Sequence, residues 1–187
     1  MLARPDINNT WITSDLHLGH DRDFIWGSRG FNSVEEHDAE IIRLWNETVP
    51  KDANVYVLGD LILGDTEAGL EKLKQLNGNI YIAIGNHDTD SRIEDYLKQD
   101  NVMMVQMGYR FNIKKMAFIF SHYPTIVTNV GQEKPIINLC GHSHTQDRWL
   151  HAEHGCYHVE LDAHDNKPIL LADIIADIKE YKRNGEA

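Results

Sequence analysis

The chain has 187 residues, 42% of them hydrophobic and 25% charged, which suits one soluble domain, 1–187, with a core of two or three layers. With 18 basic against 29 acidic residues the formal charge is −11, so there is no basic surplus to displace counterions and no strong nucleic-acid-binding surface is expected. Phosphate chemistry stays open if some of those carboxylates hold divalent cations.

No apolar run approaches membrane-spanning length, and Met1-Leu2-Ala3-Arg4-Pro5-Asp6 lacks the apolar centre of a signal peptide. A cytoplasmic location without membrane association is therefore expected, with Cys140 and Cys156 as free buried thiols. Thr10–Ser14 reads as a first buried strand, followed by Asp15-Leu16-His17-Leu18-Gly19-His20. Strand alternation predicts that Asp15 and His17 face one side, a half-site for a divalent metal of mixed N/O preference. Residues 21–32 read as a polar loop carrying Arg22, Asp23, Trp26 and Arg29.

Ser33 and Glu36 form a capping box that opens a helix through Val49, apolar on Ile41, Ile42, Leu44 and Trp45. His37 and Asp38 in its first turn read as a solvated face. The apolar run 53–58 is a second strand ending in Gly59-Asp60, and a helix over 66–76 follows. The run 79–84 is a third, stopped by Gly85-Asn86-His87-Asp88, with a short helix over 91–97 capped by Ser91. Strands alternating with helices predict an α/β sheet with parallel pairings.

The second half changes character. Residues 102–113 and 116–120 read as two strands of an antiparallel hairpin turning at Lys114-Lys115, the second ending in Ser121-His122-Tyr123-Pro124. After a loop over 123–135, the strand 136–140 ends in Gly141-His142-Ser143-His144, and 157–161 is a further strand. A terminal helix over 171–183 turns Leu171, Ile174, Ile175, Ile178 and Tyr181 inward. His151, His154, His158 and His164 read as mostly solvent-facing.

Five strand ends thus carry metal-type groups: Asp15/His17, Asp60, Asn86/His87, His122 and His142/His144. A lone strand-end histidine is usually structural, but five such ends in one small domain are hard to explain that way. The set holds imidazole, carboxylate and amide without thiolate, which argues against a closed structural zinc site and for an open catalytic one. Seven ligands exceed what one tetrahedral ion needs. Two ions sharing a carboxylate fit better, a pairing suited to in-line displacement at phosphorus.

In this order Asp-x-His, Gly-Asp, Gly-Asn-His-Asp, His and Gly-His-x-His resemble the calcineurin-like metallophosphoesterases, above all their small bacterial and phage members. Thr13–His20, Phe31-x-Ser33-Val34-Glu35-Glu36, Trp45-Asn46 and Val159-x-Leu161-Asp162-Ala163 extend the likeness over about residues 10–175. The resemblance implies a four-layer α-β-β-α sandwich of two mixed sheets and a dinuclear centre at the strand ends. It assigns Asp15, His17 and His144 to one ion and Asn86, His122 and His142 to the other, with Asp60 bridging. It further implies hydrolysis of a phosphate ester by in-line attack of metal-bound hydroxide, with His87 stabilising the phosphate oxygens or protonating the leaving oxygen.

One position departs from the family pattern. Many members read Gly-Asp-x-x-Asp, the last aspartate orienting the catalytic histidine, and here that slot holds Leu63. Asp65 and Asp88 are the available replacements. Arg29 and His20 are the candidate substrate contacts, a guanidinium being suited to bidentate phosphate binding. Tyr123 is open between lining the pocket and supporting it. The implied cofactors are two divalent ions, manganese first, with iron, nickel, cobalt or zinc as alternatives.

The partner is then a small phosphorylated substrate, a phosphodiester or nucleotide before a monoester or dinucleotide polyphosphate. Two other classes stay in view. A metallo-β-lactamase-like hydrolase would need a different pattern from Gly141-His142-Ser143-His144-Thr145-Gln146-Asp147, and a metal-binding scaffold of the same fold would be expected to have lost His87.

Overall fold

A computed structural model describes residues 3–126 and 136–185. The first half winds β1 (Thr10–Thr13), α1 (Asp23–Trp26), α2 (Val34–Thr48), β2 (Asn54–Val57), α3 (Thr66–Leu73), β3 (Asn79–Ala83) and α4 (Asp90–Tyr96). The second half contributes β4 (Val102–Gln106), β5 (Tyr109–Ile113), β6 (Met116–Phe120), β7 (Ile136–Cys140), β8 (Cys156–His158), β9 (Ile169–Leu170) and α5 (Leu171–Arg183). These strands form two mixed sheets, ordered β4-β3-β2-β1-β9 and β5-β6-β7-β8. In the first, β1 to β4 are parallel and β9 runs against them; in the second, β5 is antiparallel to β6 while β6, β7 and β8 are parallel.

The side-chain period of two explains how the layers bind. Along β2, Val55 and Val57 face the helices while Tyr56 faces the other sheet, so the strand is apolar throughout. Between the sheets lie Ile12, Tyr56, Phe118, Phe120, Leu139 and Tyr157, joined by Leu171, Ile174 and Ile175 of α5. On the outer face of the first sheet, Ile41 and Trp45 of α2, Leu73 of α3 and Tyr96 of α4 cover Val55, Ile80 and Ile82. Trp45 is fully buried and its indole donates to Asn77 O at 2.9 Å, so truncating it to alanine would cost about 3–5 kcal/mol.

Two mixed sheets flanked by helices match the expected fold, and α5 has the bounds read from the sequence. The strand expected over 102–113 is instead two strands, β4 in the first sheet and β5 in the second. The chain changes sheets at Met107-Gly108, and Tyr109 Oη donates back across the gap to Ile82 O at 3.0 Å. Lys114 and Lys115 form the expected hairpin turn, both with positive φ (49° and 68°), as such two-residue turns require.

Thr89, not Ser91, caps α4, accepting from Arg92 N. The loop expected over 21–32 contains the one-turn helix α1. From residue 127 to 135 the expected loop lies outside the described residues.

Candidate metal centre

The loops after β1, β2, β3, β6 and β7 come together at one end of the sandwich. Strand alternation is not what aligns Asp15 with His17, because β1 has already ended. Asp15, His17, Asp60, His142 and His144 all adopt left-handed backbone, with φ of 58°, 51°, 54°, 72° and 48°. Such conformations cost of order 1–3 kcal/mol each in non-glycine residues and persist where surrounding structure enforces them. Here the enforcement is hydrogen bonding between loops: Asp15 N to Gly59 O at 3.1 Å, His17 N to Asp60 O at 3.0 Å, Gly141 N to His122 O at 2.9 Å.

The side chains converge in two groups. In the first, His17 Nε2 lies 3.1 Å from His144 Nε2, and these nitrogens lie 3.8 and 3.6 Å from Asp15 Oδ1. In the second, His122 Nε2, His142 Nδ1 and Asn86 Oδ1 lie within 2.8–3.1 Å of one another. Asp60 Oδ2 lies between the groups, 3.8 Å from His17 Nε2 and 3.6 Å from His122 Nε2. All seven predicted ligands are therefore brought together.

The donor chemistry fits cations. Asp15 Oδ1 is buried without a hydrogen-bond partner, although its other oxygen accepts from His142 N at 2.9 Å. Asp60 is arranged alike: Oδ1 accepts from His87 N at 2.9 Å and Oδ2 is left for the centre. His122 Nδ1 donates to Leu58 O at 2.8 Å, which leaves Nε2 as a lone pair aimed inward. Lone pairs this close repel unless a positive charge lies among them. Burial would raise the Asp15 carboxyl, but the imidazoles of His17, His122 and His144 hold it well below the usual range. Burial also depresses His17 to about 4, so it offers a neutral imidazole near neutrality.

Two glycines make room for this packing. A Cβ on Gly85 would overlap Asp60 Oδ1, and one on Gly141 would overlap Ser14 Oγ and Asp15 Oδ2. Alanine at either place would therefore push a carboxylate out of position.

Arg29, expected to touch phosphate, does not face the cleft. Its side chain is 1% exposed. All five of its N–H groups are used: Nε and Nη2 clasp Asp162 (3.1 and 2.8 Å), Nη2 also donates to Asp15 O (2.7 Å), and Nη1 donates to Leu16 O (3.3 Å) and His37 Nε2 (3.0 Å). Asp162 in turn lies 3.3 Å from His144 Nδ1.

Behind Arg29, His37 Nδ1 donates to Asp38 Oδ1 at 2.8 Å, and Asp38 Oδ2 accepts from Gly19 N and Lys72 Nζ. His37 and Asp38 are thus buried, at 1% and 2% exposure, and not the solvated face expected. Little in the local sequence announces this chain of contacts. Asp162 stood only in a segment supporting the resemblance, and the sole local signal for the others was an His-Asp pair on a helix.

His87 lies at the mouth, its side chain 43% exposed, with Nε2 4.0 Å from Asp60 Oδ2. Neither proposed replacement for the missing aspartate orients it. Asp65 caps α3 through Ala68 N. Asp88 is buried beneath the loop, where Oδ2 accepts from Asp60 N (2.9 Å) and Gly85 N (2.8 Å) and Oδ1 accepts from Tyr96 Oη (3.0 Å). Asp88 fixes the backbone carrying Asp60, and His87 is held through its main chain, its carbonyl accepting from Arg92 Nη1 at 2.8 Å.

Comparison with known proteins decides the family. The pattern of the calcineurin-like phosphoesterases matches residues 9–183. The chain belongs to this family. The phosphoesterase is 29% identical to the Gene 66 protein of Mycobacterium phage D29, a match covering 93% of this chain and 99% of that protein. It is 40% identical over 86 residues to the Gene 66 protein of Mycobacterium phage L5, spanning 44% of this chain but only 41% of that protein. Its fold is similar to the crystal structure of a protein of unknown function, AQ665 from Aquifex aeolicus, at a TM-score of 0.68 and 20% identity, covering 89% and 97% of the two chains. The phosphoesterase is therefore a hydrolase of a divalent-metal-dependent family, and among its described residues no helix is long and apolar enough to cross a membrane.

Other expectations resolve around this centre. His20 Nδ1 lies 3.2 Å from His17 Nδ1; with His17 Nε2 turned to the centre, His17 donates and His20 keeps its own proton on Nε2. Two of the four late histidines are not solvent-facing: His158 is fully buried against Glu160, and His164 donates from Nε2 to His158 O at 2.9 Å. Cys140 and Cys156 are buried free thiols.

Proposed function

We propose that this phosphoesterase hydrolyses a phosphodiester with two divalent cations, manganese first and iron, nickel, cobalt or zinc as alternatives. Asp15, His17 and His144 would hold one ion, Asn86, His122 and His142 the other, and Asp60 would bridge. The observation carrying this reading is the position of Asp60 Oδ2, within 3.8 Å of one group's imidazole and 3.6 Å of the other's. Two such ions would supply an activated water and neutralise the phosphate charge.

The chain's own groups do the rest. His87, open to the cleft at 43% exposure, would donate a hydrogen bond to a phosphate oxygen or a proton to the departing oxygen. His20 would add a second donor through Nε2. The catalytic unit is the single domain 1–187, whose inter-sheet cluster runs from Ile12 to Ile178. A cytoplasmic setting and a small, nucleotide-like substrate complete the reading, in keeping with the −11 charge.

The test uses chelator-stripped protein with manganese restored, comparing p-nitrophenyl phosphate with bis-p-nitrophenyl phosphate. Manganese-dependent cleavage of the diester over the monoester is expected. Preference for the monoester would favour a phosphatase. Two ions bound with neither compound cleaved would favour a scaffold or a dinucleotide polyphosphate hydrolase, which that substrate would separate.

A further inference from the structure

With Arg29 consumed inside the fold, the cleft's imidazoles and its exposed aromatic rings are the neutral groups placed to recognise substrate beyond the phosphorus. Among the exposed large apolar side chains, Phe24 and Tyr123 border the metal centre, at 65% and 45% exposure. Tyr123 packs edge-on against two ligand rings of one group, 4.9 Å from His122 and 4.8 Å from His142. Phe24 borders the other group one ring farther out: His20 lies 5.1 Å from His17, and Phe24 lies edge-on 5.7 Å from His20.

Single exposed apolar residues are ordinary on protein surfaces. These two differ in that the backbone beneath each is fixed. Tyr123 O accepts from both Ser121 Oγ (3.1 Å) and Thr125 Oγ1 (3.0 Å). Phe24 stands on α1, which is anchored by the buried Ile25 and closed by Ser28 Oγ donating to Ile25 O at 2.8 Å. A rigid aromatic face loses little entropy on stacking, and every nucleobase offers a matching π-face.

We infer that Phe24 and Tyr123 are stacking walls on either side of the scissile phosphate, and that the substrate is a diester carrying a nucleobase. This rests on the two-metal diesterase reading. The formal charge of −11 restricts the partner further, to a small nucleotide diester and away from long nucleic acid.

The experiment compares two diesters that release the same p-nitrophenolate, thymidine 5′-(p-nitrophenyl phosphate) and methyl p-nitrophenyl phosphate, with manganese-loaded protein. Wild type should prefer the nucleotide ester in kcat/KM by about tenfold or more, the range of alanine-scanned base stacking. At least one of Phe24→Ala and Tyr123→Ala should remove that preference while leaving the methyl ester within about twofold, and Phe24→Trp or Tyr123→Phe should retain it. Equal kcat/KM on both esters in wild type, or equal losses on both in the alanine variants, overturns the stacking walls and leaves the diesterase reading standing. Cleavage of neither ester by wild type overturns both.

Discussion

Asp162 Oδ2 lies 3.3 Å from His144 Nδ1, on the side of the imidazole away from the metal centre, while the same carboxylate clasps Arg29 through two hydrogen bonds. Burial would raise the Asp162 carboxyl, but His144 and Arg29 more than offset it and hold it well below the usual range. Burial pushes His144 down, but Asp162 and Asp15 push it up further. The carboxylate therefore keeps a proton on Nδ1 and turns Nε2 toward Asp15 and His17. On the proposed two-ion reading, Asp162→Asn should weaken manganese binding at the site of Asp15, His17 and His144 by about 10–100-fold, the usual effect of losing such a partner, and spare the other. Calorimetric titration of metal into stripped protein resolves the two; equal affinities in variant and wild type would refute the role.

Arg29 should behave as a structural residue. Removing it strands Asp162 and the carbonyls of Asp15 and Leu16 in a buried setting, so Arg29→Gln should lose about 3–5 kcal/mol in urea unfolding. A variant of unchanged stability with a raised KM would restore it to the substrate.

For His87, alanine substitution should leave two ions bound and lower turnover of bis-p-nitrophenyl phosphate by about 10²–10⁴-fold. Its ring lies 5.6 Å from that of His17 and contributes no atom to either converging group. Unchanged turnover with metals bound would remove it from the chemistry.

A single methyl tests the packing. Gly85→Ala should displace Asp60 and lower metal content below two ions per chain, because the new Cβ would also lie 2.7 Å from Asp60 N. Metal content after gel filtration gives the answer; two ions per chain would show that the loop can move aside.

His164 links stability to pH. Burial depresses it to about 4 from an ordinary value near 6.5, with its hydrogen bond to His158 O partly opposing. The unfolded chain thus binds a proton across pH 6.5 to 4 that the folded chain refuses, so stability is present above 6.5 and lost as pH falls to about 4. The full loss is about 3 kcal/mol. Urea unfolding of stripped protein at pH 7 and 4.5 should show a smaller difference in His164→Gln than in wild type.

The sequence by itself determined which residues converge at the candidate metal centre and most of the secondary structure. Strand ends bearing Asp, Asn and His are legible as a set, since five buried runs, three of them closed by a glycine, each place such a side chain where a strand stops. The periodicity of α5 and the cap Ser33 are equally local. Whatever depended on partners far along the chain was decided only in three dimensions. A continuous apolar run cannot say that it will leave one sheet for another at Gly108. An arginine in a polar loop cannot say that an aspartate 133 residues later will take it inside the fold. Local pattern records which side chains prefer burial or metal; charge pairing across the core depends on distance, and the tertiary structure alone sets distance.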